Sequence, residues 1–439
     1  MQILVLLVIV LVFVIIATAK FKMHPFISLM ISAIFVGLAS GIDAITVIKK
    51  ISEGFGNTLS SIGIIIALGA IIGAYLEKSG GTKVLANSLL KKIGEKRAPL
   101  AMNLTGLIVS IPVFCDSGFV ILSSLNKALS KRTGIPLAVF AIALSTGLYV
   151  SHVFVPPTPG PLAAAAVLNA DLGLVMILGL IISIPTAIAG LVWAKYIGKS
   201  IKTVDFETEQ KESETTEQPS TFMAFAPILL PVLLIGLRSV ANYPTHPLGN
   251  GLAFTSINFL GSPIIALFIG LIIASFLGKN SKKEQKLSWV TGALKEAGVI
   301  ILVTGAGGAF GNILRASNIG EFLGQELSGM QAGILLPFII AAILKTAQGS
   351  STVAIITTAA IISPLMEGLG IDSEIAKALA VLSIGAGAMT VSHINDSYFW
   401  VVSQFSHLDI KSALKSHTIA TLIQGVTAII LISIINMFF

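Results

Sequence analysis

The sequence predicts an all-α polytopic membrane protein made of two inverted repeats, each with a re-entrant hairpin and a discontinuous transmembrane helix. Three observations predict it. First, the 439 residues are 54% hydrophobic and 11% charged, with a mean hydropathy of +0.93, whereas soluble domains carry about 25% charged residues. Second, two long apolar runs are broken near their centres, one by Phe114-Cys115-Asp116-Ser117-Gly118 and one by Lys345-Thr346-Ala347-Gln348-Gly349-Ser350-Ser351-Thr352. Third, the flanks of those runs differ in sign: Lys96, Arg97, Lys131 and Arg132 surround the first, and Glu321, Glu326, Glu367, Asp372 and Glu374 the second. Basic flanks mark the cytoplasmic side, so the first run enters and leaves from the cytoplasm and the second from outside.

Taken in order, residues 1–22 predict a retained first span with its N-terminus outside. A signal peptide carries its charge before the apolar core, and here Lys20 and Lys22 follow it. Repeat 1 covers 23–203. Residues 26–42 cross outward, 43–55 lie amphipathically at the interface, and 59–76 return. Six basic residues between 78 and 97 place that loop in the cytoplasm. The hairpin 99–130 has two arms, each shorter than the about 20 residues that a crossing needs, with its tip at Cys115-Asp116-Ser117-Gly118. The span 135–170 breaks at Ser151-His152 and the prolines 156, 157, 159 and 161, since proline removes a donor and clashes with the preceding turn. Helix is expected to resume at Leu162.

Residues 204–221 read as an acidic, hydrophilic cytoplasmic linker. A connecting span and outer loop occupy 222–251. Repeat 2 covers 252–439, with spans over 262–277 and 299–314, the hairpin 331–366, a broken helix 375–405 interrupted at His393-Ile394-Asn395-Asp396-Ser397, and a last span that ends outside. Gly73-Ala74-Tyr75-Leu76 corresponds to Gly311-Asn312-Ile313-Leu314, and Ser151-His152 to Ser392-His393. An odd number of crossings separates the hairpins, so the repeats are inverted, and paired breaks in inverted repeats place a transporter site where they meet at the midplane.

The remaining signals exclude other classes. The net charge of +7 is scattered at the ends of apolar runs, without the basic stripe of a nucleic-acid binder. The single cysteine, Cys115, permits no intrachain disulfide or multi-cysteine metal site and reads as a packing residue. Gly305-Ala306-Gly307-Gly308-Ala309-Phe310-Gly311 lacks the glycine and the preceding strand of a dinucleotide loop, and no nucleotide-binding loop for a pump is present. No cofactor or metal is expected. His24, His246, His407 and His417 lie near expected ends or loops and read as surface residues.

Irregular backbone at membrane depth survives where it lines a cavity, and an ionisable group there is a functional candidate. The exposed amides of broken helices attract anions without a full charge. Candidate substrate-binding residues are Ser117, Gly118, Ser151, His152, Thr158, Lys345, Gln348, Gly349, Ser350, Ser351, Thr352, His393 and Asn395. Lys345, a rare intramembrane cation, either meets an anionic substrate group, pairs with a protein acid or snorkels to water. Desolvation favours the neutral form of a carboxyl, which makes Asp116 a proton-carrier candidate. Asp396 is its alternative, and His152 and His393 titrate near neutrality when unperturbed.

Phe114-Cys115-Asp116-Ser117-Gly118-Phe119, Ser151-His152 with Pro156-Pro157-Thr158-Pro159-Gly160-Pro161, Gln348-Gly349-Ser350-Ser351-Thr352-Val353-Ala354 and Ser392-His393-Ile394-Asn395-Asp396-Ser397 together resemble the gluconate permease family, the gluconate:proton symporters of the ion-transporter superfamily. The resemblance covers nearly the whole chain. It implies proton-coupled uptake of a gluconate-like small carboxylate across the bacterial cytoplasmic membrane, by a dimer embedded in the lipid bilayer and working with an elevator motion. Other readings are a symporter of glycerate or D-serine, with sodium as the other coupling ion, a channel, and an intramembrane hydrolase built from Ser, His and Asp at the breaks. The last lacks the Gly-x-Ser-x-Gly elbow and the His-Glu-x-x-His motif.

Overall fold

The computed structural model describes residues 2–201, 218–242, 251–279, 281–317, 333–394 and 396–438. Most of the acidic linker, the outer loop after Asn242, the start of the 331–366 hairpin, His246 and Asn395 lie outside the described residues. The helices are α1 (Gln2–Ala19), α2 (Pro25–Ala39), α3 (Ala44–Lys78), α4 (Gly81–Ile93), α5 (Ala98–Val109), α6 (Cys115–Thr133), α7 (Leu137–Phe154), α8 (Pro159–Val167) and α9 (Leu172–Ile197). They continue with α10 (Thr221–Ala241), α11 (Leu252–Leu260), α12 (Pro263–Leu277), α13 (Lys283–Ala316), α14 (Leu335–Gln348), α15 (Ser351–Ile362), α16 (Glu374–Met389), α17 (Ser397–Phe405) and α18 (Ile410–Asn436). No strand occurs among the described residues. Among the described residues six segments are long and apolar enough to cross a membrane, α7 and α8 counting together as one, or seven if α11 and α12, bent by 65°, form one span.

Two long helices set the frame. The 35 residues of α3 span about 52 Å at 1.5 Å per residue, more than the about 30 Å of a hydrocarbon core. α13 has 34 residues and runs antiparallel against α3. Asn312 Nδ2 donates to Lys50 O at 2.8 Å, Gly54 faces Gly308, and Gly63 faces Ile301. The expected interfacial helix over 43–55 and separate span over 59–76 are therefore one helix. Asp43 caps its start by accepting from Thr46 N at 3.0 Å, and hydrogen bonds from the Thr46 side chain and backbone hold the Asp43 carboxyl below the usual carboxylate range. No proline interrupts the run. Gly54 does not end the helix because its missing side chain admits the backbone of α13.

Four helix–break–helix pairs occur, α5/α6, α7/α8, α14/α15 and α16/α17, and the residues of α7 are all buried, as expected of a helix apolar on every side. In the first pair the tip falls earlier than expected. Ser110-Ile111-Pro112-Val113-Phe114 forms the break, and Cys115-Asp116-Ser117-Gly118 is the first turn of α6. Ser110 closes α5 through its amide to Gly106 O, and its hydroxyl meets Val113 O at 3.1 Å, while Pro112 has no amide donor. α7 runs past the expected break to Phe154, because the first proline is Pro156. α8 starts at Pro159 rather than Leu162, since proline is tolerated in a first helical turn. In the second hairpin region the break narrows to two residues. Gly349, at φ +82°, closes α14, and Ser350 caps α15 by accepting from Val353 N at 3.3 Å. Lys345 and Gln348 therefore belong to α14. Between α16 and α17 the described residues 390–394 and 396 are not helical, and Asp396 caps α17 by accepting from Tyr398 N at 3.1 Å.

Candidate functional site

The first turns of α6, α15 and α17 and the last turn of α7 meet at one cavity of about 260 Å³. Its polar lining is His24, Asp116, Tyr149, His152, Ser350, Ser351, Thr352, Asp396, Ser397 and Tyr398. The size falls just below the about 300 Å³ where small-molecule pockets begin, which suits a compact solute. Three helix N-termini at one cavity give a concentration of unpaired amides and positive dipole ends, the arrangement that holds anions.

A buried charge pair forms part of the cavity wall through Asp396. Lys345 Nζ is 2.5 Å from Asp396 Oδ2, with side chains 1% and 5% exposed, and it also donates to Gly349 O. Of the alternatives open for Lys345, the structure shows the protein acid as its partner. The same Asp396 oxygen accepts from Ser392 Oγ, and Oδ1 accepts from the Tyr398 amide. Asp116 differs. Its Oδ2 accepts from Cys115 Sγ at 3.7 Å, and its buried Oδ1 has no hydrogen-bond partner among the described residues.

The other expected residues separate. His152 lines the cavity, stacks on Tyr149 at 6.4 Å and 12°, and has a buried Nδ1 without a partner among the described residues. Ser117 faces a second cavity of about 290 Å³ with Gly73, Glu77, Lys78 and Trp289. Gly118 packs on Leu148. Ser151 donates to Leu107 O at 2.5 Å and Thr158 to Val155 O at 2.6 Å, and neither reaches the cavity. The Gln348 amide is buried without partners among the described residues. His393 Nε2 lies 3.0 Å from Thr346 O, outside the cavity. So His152 and His393, matched in the sequence, occupy unlike environments. Cys115 is 2% exposed and contributes to the cavity wall.

One expectation is overturned outright: His417 is not a surface residue. It is fully buried, with Nε2 3.2 Å from Ser392 Oγ and Nδ1 3.3 Å from Ser145 Oγ. Its place just before the last expected span reads as an end or loop. The signal that identifies it is the stripe His417, Thr421, Gln424 at helical spacing on an apolar helix. Thr421 Oγ1 accepts from Ser392 N at 3.1 Å, and Gln424 Nε2 donates to Thr146 O at 3.0 Å.

Broken helices converging on a polar cavity inside an all-helical, multi-pass chain define a membrane permease. The fold resembles that of the Alcanivorax borkumensis YdaH transporter, with a TM-score of 0.64 over 94% of this chain and 98% of that one at 15% identity. The family model for GntP family permeases matches residues 1–438, and the chain belongs to that family. It is 35% identical over 436 residues to a gluconate permease of Pseudomonas aeruginosa, covering 96% of this chain and 95% of the relative. It is 34% identical to a high-affinity gluconate transporter and 32% identical to a Gnt-II system L-idonate transporter of Escherichia coli, each over 95% of both chains.

Proposed function

We propose that the chain is a secondary active transporter of the bacterial inner membrane that takes up gluconate or a related small sugar acid together with protons. The observation that carries this reading is the cavity where three helix N-termini surround Asp116, a carboxyl with one oxygen unpartnered among the described residues. The amides and the hydroxyls of Ser350, Ser351 and Thr352 suit a polyhydroxy carboxylate. Asp116 supplies a titratable group, with Asp396 and His152 as further candidates. Protonation of Asp396 would free the Lys345 ammonium for the substrate's carboxylate. The relatives' names, gluconate permease and L-idonate transporter, support the substrate class.

The arrangement by which this happens is read as two inverted repeats, 23–203 and 252–439, with hairpins at 99–130 and 331–366 and broken helices at 135–170 and 375–405. The antiparallel pairing of α3 with α13 and the occurrence of helix–break–helix pairs in both halves support it. In this reading the termini lie outside, the chain is a homodimer, and the hairpins move as an elevator against α3 and α13. Cysteines introduced at Ser117 and Ser350 in a Cys115→Ser background should then be labelled from opposite sides.

Purified protein in proteoliposomes tests the function. An inward proton gradient should drive accumulation of labelled gluconate, with L-idonate competing. Accumulation driven by sodium alone, or competition by D-serine or glycerate but not by gluconate, would overturn the reading.

A further inference from the structure

We propose that His417 is a positioning residue for the Lys345–Asp396 pair, acting through the Ser392 hydroxyl. The argument is one of hydrogen-bond parity. Asp396 beside the Lys345 ammonium is an acceptor only. Ser392 Oγ has a single proton and two neighbours in reach, Asp396 Oδ2 and His417 Nε2. That proton goes to Asp396, so the other contact requires His417 to donate from Nε2. The imidazole is then the Nε2–H tautomer, and its Nδ1 lies 3.3 Å from Ser145 Oγ, whose proton also has Ile142 O in reach at 3.1 Å.

A second observation supports a dedicated placement. His417 lies in a π-helical turn, Leu414–Thr418, inside α18, and such turns are rare and concentrate at functional sites. The turn is fastened to the break that holds Asp396, because Thr418 Oγ1 donates to Ser392 O at 2.5 Å. Tyr398 lies edge-on to the His417 ring at 5.4 Å and passes its hydroxyl to Ser145 O at 3.0 Å. α7, α17 and α18 thus hold a Ser145–His417–Ser392 chain that ends on Asp396, without any of the three lining the cavity. If His417 is lost, the Ser392 hydroxyl is free to turn away from Asp396.

The inference rests on the transport reading only for its first readout. In gluconate counterflow, His417→Ala and Ser392→Ala should each lower exchange about tenfold, the scale of one lost hydrogen bond to a charged group. His417→Gln, which can again offer an N–H to Ser392, should recover most of it, and His417→Asn should not. In an Asp396→Asn background His417→Ala should have no further effect. The second readout needs no transport: the melting temperatures of the same variants in detergent should be non-additive between His417 and Asp396. Additive effects, or His417→Gln behaving like His417→Ala, would overturn the proposal. Absence of gluconate exchange in the parent protein would instead remove the proposed substrate, and the melting cycle would still decide the role of His417.

Discussion

Lys345 in the last turn of α14 and Asp396 at the cap of α17 form an ion pair at 2.5 Å across 51 positions of sequence, closed off from solvent at 1% and 5% exposure. The pair ties the second hairpin to the second broken helix at the wall of the cavity. Neither charge is isolated, because Gly349 O accepts from the lysine and Ser392 and Tyr398 donate to the aspartate. Desolvating two ions is expensive, and the full set of partners is what offsets that cost.

Removing one partner should therefore be worse than removing both. Lys345→Met or Asp396→Leu alone leaves an uncompensated buried charge and should destabilise the protein by about 3–5 kcal/mol. The Lys345→Met/Asp396→Leu double variant should recover a large part of that loss. Thermal unfolding in detergent measures it, and double-variant stability no better than the worse single would show that the pair is not coupled.

Asp116→Asn should separate coupling from binding. The amide keeps the shape and removes the titration at the one cavity carboxyl with an oxygen left unpartnered among the described residues. Gluconate exchange should persist, while gradient-driven accumulation falls to passive equilibration. Normal accumulation in this variant would move the coupling role to Asp396 or His152.

How much of this was legible in the sequence depended on distance along the chain. The breaks were visible because prolines, Gly349, Asp116 and Asp396 interrupt apolar runs. Their edges shifted by a few residues: Pro159 can start a helix, and Ser110 with Pro112 ends α5 before Asp116. The Lys345–Asp396 pairing was not legible, since no local pattern links positions on separate helices. His417 reads as a surface residue because it lies near an expected span end, although its polar stripe with Thr421 and Gln424 is present in the sequence. The length of α3 was not legible because the polar residues of 43–55 read as an interfacial face until α13 is known to pack along them.

That packing makes a stability prediction. A Cβ at Gly308 would meet the Thr58 side chain and the Gly54 carbonyl. Gly308→Val should cost about 1–3 kcal/mol through overpacking, read as a lowered melting temperature. Gly308→Ala should cost less, and combining it with Thr58→Ala should relieve part of the clash. An unchanged melting temperature for Gly308→Val would mean that the α3–α13 contact is looser than described.

Phe114 makes the last prediction. It is shared by the linings of the two cavities, with Asp116, His152 and Ser350 on one side and Ser117, Glu77 and Lys78 on the other. Its ring lies 6.4 Å from the His152 ring at 64°. A side chain in that position separates the Asp116 cavity from the Ser117 cavity, and truncating it should join them. The chain carries its own reporter, because Cys115 is the single cysteine, adjoins Phe114, and is 2% exposed on the Asp116 side. Thiol modification follows exposure, so Phe114→Ala should speed labelling of Cys115 by a charged, membrane-impermeant reagent about tenfold or more. Phe114→Trp keeps the barrier and should label as slowly as the parent protein, and gluconate should slow labelling in Phe114→Ala by occupying the joined space. Intact-protein mass spectrometry follows the single adduct. Equal labelling rates for Phe114→Ala and the parent protein would show that the two cavities are divided by something other than this ring.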